Sequence, residues 1–222
     1  MCGRFTVVSP SDVLSHFLQV PVPSLAPRYN IAPTQDVLAV VHDPEPQARA
    51  LRWGLIPSWA KDTKHASRTI NARGESLSEK PSFRQAFKKR RCLIPANGFY
   101  EWVRNEKRPF LFRMSDFSPF AMAGLWEVWR SESSEIHSCT IITTQANDVL
   151  KPYHDRMPVI LDPAQWAIWF NPTTSTDVLQ AMMAPYDAHA MDAYEVSRLV
   201  NSVSNDVPEC LAPVSKQGEL FA

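Results

Sequence analysis

The sequence predicts an α+β fold: a mostly antiparallel, curled β-sheet or barrel with helices at its periphery. Short runs rich in β-branched and aromatic residues crowd the centre of the chain, at 92–95, 98–103, 109–114, 119–126 and 138–144. Turns rich in Asn, Gly, Glu, Lys or Ser separate them. Helical periodicity is confined to the flanks. The 19 prolines against 6 glycines imply many rigid connections between short elements.

In chain order, Ser9-Pro10-Ser11-Asp12 starts a helix whose apolar stripe is Val13, Phe17 and Leu18. Residues 20–36 form an extended, Pro-rich stretch. Val37–Val41 and Ala50–Trp53 read as paired strands around the polar turn at 42–46, and residues 54–72 read as irregular. A second helix is expected near 81–89, where Phe83 and Phe87 fall four apart on one face. Val159–Leu161 is the final strand expected. The helices Pro163–Phe170 and Thr174–Met183 follow it, capped by Asp162 and Thr173. There is no internal repeat, low-complexity tract or long linker, so residues 1–222 are read as one domain.

Hydrophobic content of 45% with 21% charged residues is ordinary globular composition, neither disordered nor membrane-like. No apolar run reaches the roughly 18 residues of a membrane span. The start MCGRFTVVSP has no apolar core of a secretory leader, so the expected location is the cytoplasm. Nothing resembles a dimerisation helix, and a monomer is expected. The formal net charge is zero, which gives no global attraction to nucleic acid. Any such contact has to come from a local basic surface. The run from Arg84 to Arg91 is one candidate, and a solvated helix face is its default reading.

The four cysteines, Cys2, Cys92, Cys139 and Cys210, contain no C-x-x-C pair. That spacing argues against structural zinc, and the compartment argues against disulfides, so no metal or cofactor is expected. Cys92, Cys139 and Cys210 are read as small buried residues. Cys2 is different. Initiator methionine is normally removed ahead of a residue this small, which would leave a 1,2-aminothiol. An α-amine has a pKa near 8 against about 10.4 for lysine, so roughly a tenth of it is nucleophilic at neutral pH. The amine attacks an aldehyde to give an imine. The thiol then closes on the imine carbon as a five-membered thiazolidine, which a lysine cannot do. The plain alternative is an incidental residue at a frayed end. Its neighbours favour chemistry: Gly3 permits close approach, Arg4 suits phosphate, and Phe5 ties the segment into the core.

The start Met-Cys-Gly-Arg-Phe resembles that of the SOS-response-associated peptidase (SRAP) family of abasic-site processing proteins. The blocks Arg28–Pro33, Trp53–Trp59, Ile70–Ser76, Cys92–Trp102, Thr143-Thr144, His154–Leu161 and Val196–Asn201 continue the resemblance in family order. It implies an α+β barrel that binds single-stranded DNA and crosslinks Cys2 to the abasic-site aldehyde, with weak lyase and self-release chemistry. The peptidase of the family name would act only on Met1, a task open to the general methionine aminopeptidase.

The resemblance assigns Glu101 as the acid–base residue. Strand alternation puts it on one face with Phe99 and Val103, where burial raises a carboxyl toward the working range. An exposed strand glutamate or an ion pair is its structural alternative. His154 matches the family histidine of an H-D-R-M-P block and suits proton shuttling. Asn71 is placed by the resemblance against the cysteine and the opened sugar, and its alternative is a turn residue. Arg73, two residues on, points the same way if the segment is extended. With Arg4 and Arg156 it would clamp a phosphate. Trp59 is read as a base-stacking platform and Trp53 as core. Some family members carry a second aromatic after this tryptophan, where this chain has Ala60. The stretch Ala60–Thr69, with Lys61, Lys64 and Arg68, is a candidate electrostatic replacement.

Two rival classes share the N-terminal cysteine. A glutamine-amidotransferase-like hydrolase also begins Met-Cys-Gly, but it continues with apolar residues. A cysteine peptidase would use Cys2, His154 and Asn71 as a triad. A noncovalent DNA-binding module is the third alternative.

Overall fold

The computed structural model describes residues 2–64, 66–103 and 106–214. Met1, whose removal the sequence suggests, and His65 lie outside the described residues. In chain order the elements are β1 (Phe5–Val7), α1 (Ser11–Leu18), β2 (Arg28–Ile31), β3 (Asp36–His42), β4 (Pro46–Trp53) and β5 (Asn71–Arg73). Then come α2 (Arg84–Lys89), β6 (Arg91–Ala96), β7 (Gly98–Trp102), β8 (Pro109–Met114), β9 (Phe120–Arg130) and β10 (Glu135–Gln145). The chain continues with β11 (Arg156–Pro158), β12 (Ile160–Leu161), α3 (Pro163–Phe170), α4 (Thr176–Ala181) and β13 (Met191–Glu195).

The strands form two sheets over a shared core, and the α+β expectation holds. In one sheet β9, β6, β3, β4 and β10 pair in that order, and β10 pairs back onto β9, closing a barrel. Closure removes the open edges and buries both faces of the central strands. That is why β9 reads as an almost unbroken apolar run, with all of Phe120–Glu127 buried. Gly124 lies where β9 is flanked by both β6 and β10. A Cβ there would come within 2.9 Å of both Cys92 Sγ and Thr140 O, so only glycine fits. Pro95 in β6 faces β9 and lies past the short Leu93–Cys92 pairing with β3, so its missing N–H breaks no ladder.

The second sheet runs β13-β8-β7-β1-β2. Within it β1 lies between β7 and β2, with Phe5 opposite both Phe99 of β7 and Ile31 of β2. The two sheets meet where Phe5 packs edge-on against Trp53, ring centroids 5.1 Å apart.

Several expectations are corrected. The stripe of α1 is Leu14 and Leu18, with Phe17 partly buried, while Val13 points outward, 42% exposed. Ser175, not Thr173, caps α4 by accepting from Val178 N, and that helix is shorter than predicted. β2 emerges from the stretch read as extended and β5 at the end of the one read as irregular, while β1, β11 and β13 have no counterpart in the sequence reading. β2, β5 and β13 take their hydrogen bonds from partners distant in the chain, so local pattern does not reveal them. The α3 boundaries agree, with Asp162 N donating to Gln165 Oε1 at 2.9 Å and Pro163 as the first helical residue.

The basic run at 84–91 divides in two. Lys88 and Lys89 are solvated, as the default reading has it. Arg91 is buried and donates to the carbonyls of Trp169, Phe87, Lys88 and Asn171, welding β6 to α2 and α3. Replacing Arg91 with alanine orphans those acceptors and is expected to cost about 3 kcal/mol in urea unfolding. Lys88→Ala should stay within about 0.5 kcal/mol of the parent.

Candidate functional site

Cys2 is fully buried immediately ahead of β1. The pairing of β1 with β7 continues toward the terminus, since Tyr100 N donates to Arg4 O at 2.9 Å. That register carries the end of the chain alongside Glu101. Phe5 anchors it, as its position after the reactive residue suggested.

Asn71 reaches the same place by another route. The chain leaves β10 at the end of β4, where Cys139 faces Trp53, and returns to it in β5, where Ile141 faces Asn71. Residues 54–70 are thus an excursion between two segments that share one lane beside β10. Gly54 opens the excursion with φ at 127°, a conformation L side chains avoid, and a Cβ there would meet Ala66 O at 2.5 Å. Trp53 Nε1 donates to Ile70 O at 2.8 Å and closes it. On return, Asn71 Nδ2 donates to Cys2 O at 2.8 Å. Asn71 Oδ1 is buried and has no donor among the described residues.

Glu101 is 4% exposed on β7. Burial holds its carboxyl above the ordinary range, and the negative charge of Asp155 pushes it further up. Burial also drives the Cys2 thiol far up, with Glu101 adding to the effect. The thiol therefore stays protonated at neutral pH, and the same burial shifts the Glu101 carboxyl beside it toward its protonated form.

His154 sits in the turn before β11. Its Nδ1 accepts from Arg156 N at 2.9 Å and lies 3.0 Å from an Asp155 carboxylate oxygen. A Cys–His–Asn triad would need the asparagine amide to orient the histidine. Here the Asn71 amide nitrogen is held by the carbonyl of Cys2 instead.

The three arginines of the expected clamp differ. Arg73 is exposed, two residues past Asn71 on the extended β5, as alternation requires. Arg4 turns inward, donating to Asn30 Oδ1 and Val200 O, each at 2.8 Å, with Trp102 5.9 Å below its guanidinium. Arg156 makes a bidentate pair with Glu75 at 2.6 and 2.8 Å and also donates to Thr143 O. Trp59 stands 65% exposed on the excursion, whereas Trp53 is fully buried. Ala60 offers its carbonyl to Trp129 Nε1 at 2.7 Å and packs against that indole's cluster.

Two residues the sequence reading left without a role prove central to the site's frame. Asn30 is fully buried, and its amide donates to the carbonyls of Val200, Ser202 and Asn205. Glu75 holds Arg156. Both stand inside the motif blocks, but their partners lie far away in sequence. Among the described residues, no group of three or more His, Cys, Asp and Glu side chains is placed to share a metal ion. No helix is long and apolar enough to cross a membrane.

The site therefore defines a class: proteins that hold a near-terminal cysteine, fully enclosed, between an amide and a buried carboxyl. Residues 1–203 match the family described as SOS response associated peptidase (SRAP), and the chain belongs to that family. It is 46% identical over 221 residues to "Abasic site processing protein YoqW" of Bacillus subtilis (strain 168), covering 95% of this chain and 99% of that protein. It is 30% identical over 270 residues to "Abasic site processing protein HMCES" of Pongo abelii, covering 96% and 76%. A crystal structure of a protein from Bacteroides thetaiotaomicron superposes with a TM-score of 0.85 at 26% identity, covering 96% of this chain and all of that one.

Removing the Asn71 side chain deletes one buried hydrogen bond and one unsatisfied oxygen together. Asn71→Ala is expected to cost only about 1 kcal/mol of stability in denaturant unfolding. Phe5→Ala, which removes the anchor, should cost about 3–5 kcal/mol in the same measurement.

Proposed function

We propose that this chain is an abasic-site processing protein that captures the lesion's aldehyde in single-stranded DNA on Cys2. The carrying observation is the enclosure of Cys2 between Asn71 and a buried carboxyl, Glu101, whose pKa burial raises. The names of its relatives in the same family support the substrate. An abasic sugar lacks a base, so it is slim enough to enter a site that an intact nucleotide does not.

In this reading Met1 is first removed, by methionine aminopeptidase or by the chain itself. The free α-amine of Cys2 adds to C1 of the ring-opened deoxyribose and gives a carbinolamine. Glu101 protonates the departing hydroxyl, water leaves, and a protonated imine forms, with its N–H kept and Glu101 now a carboxylate. The Glu101 carboxylate then takes the proton of the thiol as sulfur bonds to the imine carbon, and the thiazolidine closes. One water is lost overall, and Glu101 ends as it began, protonated. A thiol with its pKa pushed far up needs such a base at the moment of attack. The orphan Asn71 Oδ1 is an acceptor for a sugar or carbinolamine hydroxyl. His154, through Nε2, would serve β-elimination and release. Arg73 meets the flanking phosphate directly. Arg4 and Arg156 frame the site and reach DNA only by exchanging the protein partners they now hold. Trp59 stacks a neighbouring base. We assign the act to a monomer.

Intact mass measurement after incubation with an abasic single strand tests this. The expected product is the chain without Met1 plus the DNA less one water, resistant to denaturant and absent for Cys2→Ser. An equally stable adduct on Cys2→Ser, or on a chain whose Met1 cannot be removed, would sink the mechanism.

The pH dependence carries a sign. A carboxyl with a raised pKa is protonated below that pKa and loses its proton as pH rises through it. The crosslinking rate is therefore expected to fall on the alkaline side of Glu101's shifted pKa. Glu101→Gln should be about a hundredfold slower or more, and should lack that limb in single-turnover measurements.

A further inference from the structure

Beside Trp59 lies a second cavity, of about 410 Å³, that the crosslinking chemistry does not use. Ser58 from the excursion, Lys89 and Arg90 from the end of α2, and Trp126, Glu127 and Arg130 from β9 wall it. Its charges are unequal. Arg90 is paired with Glu127 at 2.6 Å, Arg130 with Glu135 at 2.7 Å, and Asp43 at the rim with Arg49 at 3.5 Å. Lys89 is exposed and has no acidic partner among the described residues. Two donors in the cavity's wall residues, Arg90 Nε and Trp126 Nε1, are buried and have no acceptor. A cavity with a spare cation, a hydroxyl and unused donors is suited to an anion.

The surroundings say which anion. Trp59 is the residue after Ser58, and its indole is mostly exposed. Exposed aromatics interleaved with cationic pockets are how proteins track a single strand without reading its sequence. The loop is held in place, because Trp129 Nε1 donates to Ala60 O and Ile56 N donates to Ser138 Oγ. Ser138 lies three residues along β10 from the position that faces Asn71, about 10 Å at the usual rise of a strand. That is a span of a few nucleotides from the covalent centre.

We propose that this cavity is a second subsite for the DNA strand, receiving a backbone phosphate while an adjacent base stacks on Trp59. This rests on the reading that single-stranded DNA is the partner, and it extends the footprint past the lesion. The subsite acts on affinity and leaves the chemistry at Cys2 alone.

The test is salt-dependent equilibrium binding of the full chain to oligo-dT strands of increasing length. Lys89→Gln is expected to bind the long strand more weakly, with the slope of log K against log salt lower by about 0.7, the loss of one single-strand phosphate contact. Trp59→Ala should weaken the long strand with the slope unchanged, since stacking releases no counterions. Identical slopes for Lys89→Gln and the parent on the long strand would overturn the subsite. So would tight binding of inorganic phosphate in the cavity without any dependence of affinity on strand length. Crosslinking to a short abasic strand, run in parallel, separates the two ideas. An adduct with an unchanged slope removes only the subsite, whereas no adduct removes the reading on which it rests.

Discussion

Phe5 against Trp53 is the contact through which the end of the chain becomes part of the core. A terminus ordinarily frays, because nothing offsets the entropy of ordering it. Here β1 lies between β2 and β7, and the Phe5 ring meets Trp53 edge-on. Trp53 in turn donates to Ile70 O, next to Asn71. One apolar contact thus sets both walls of the site, the β7 wall with Glu101 and the β5 wall with Asn71.

From that anchoring follows the electrostatic character of the site. Enclosing a residue beside a carboxyl removes water from both, so the pKa of thiol and of acid alike is pushed up. Neutral groups cost far less to bury than ions. The site can therefore be dry in the resting chain, and charge need appear only during reaction. The barrel supplies the rigidity this demands, since its closed ladder leaves no edge strand free to shift.

The same economy governs the arginines. Arg4, Arg91 and Arg156 all spend their guanidinium donors on protein acceptors, and each ties together segments remote in sequence. Arg4 joins the N-terminal strand to the residues near Val200, and Arg156 joins the His154 turn to Glu75. Cations such as Arg73 and Lys89 stay exposed at the surface. A chain of zero net charge can therefore still present a locally basic track.

Sequence alone determined the fold class, the strand-rich centre, α3 to the residue, and the chemistry latent in a cysteine at position 2. These are local properties: periodicity, capping and the functional groups of single residues. It also placed Glu101 on the buried face of its strand, because alternation is local too. What only the tertiary structure decided is who meets whom. The strands β2, β5 and β13 exist because distant partners accept their hydrogen bonds, and Asn71 reaches Cys2 because an excursion returns to its own lane beside β10. The division of arginines into frame and surface was equally invisible. A guanidinium looks the same in sequence whether its five donors face carbonyls or water.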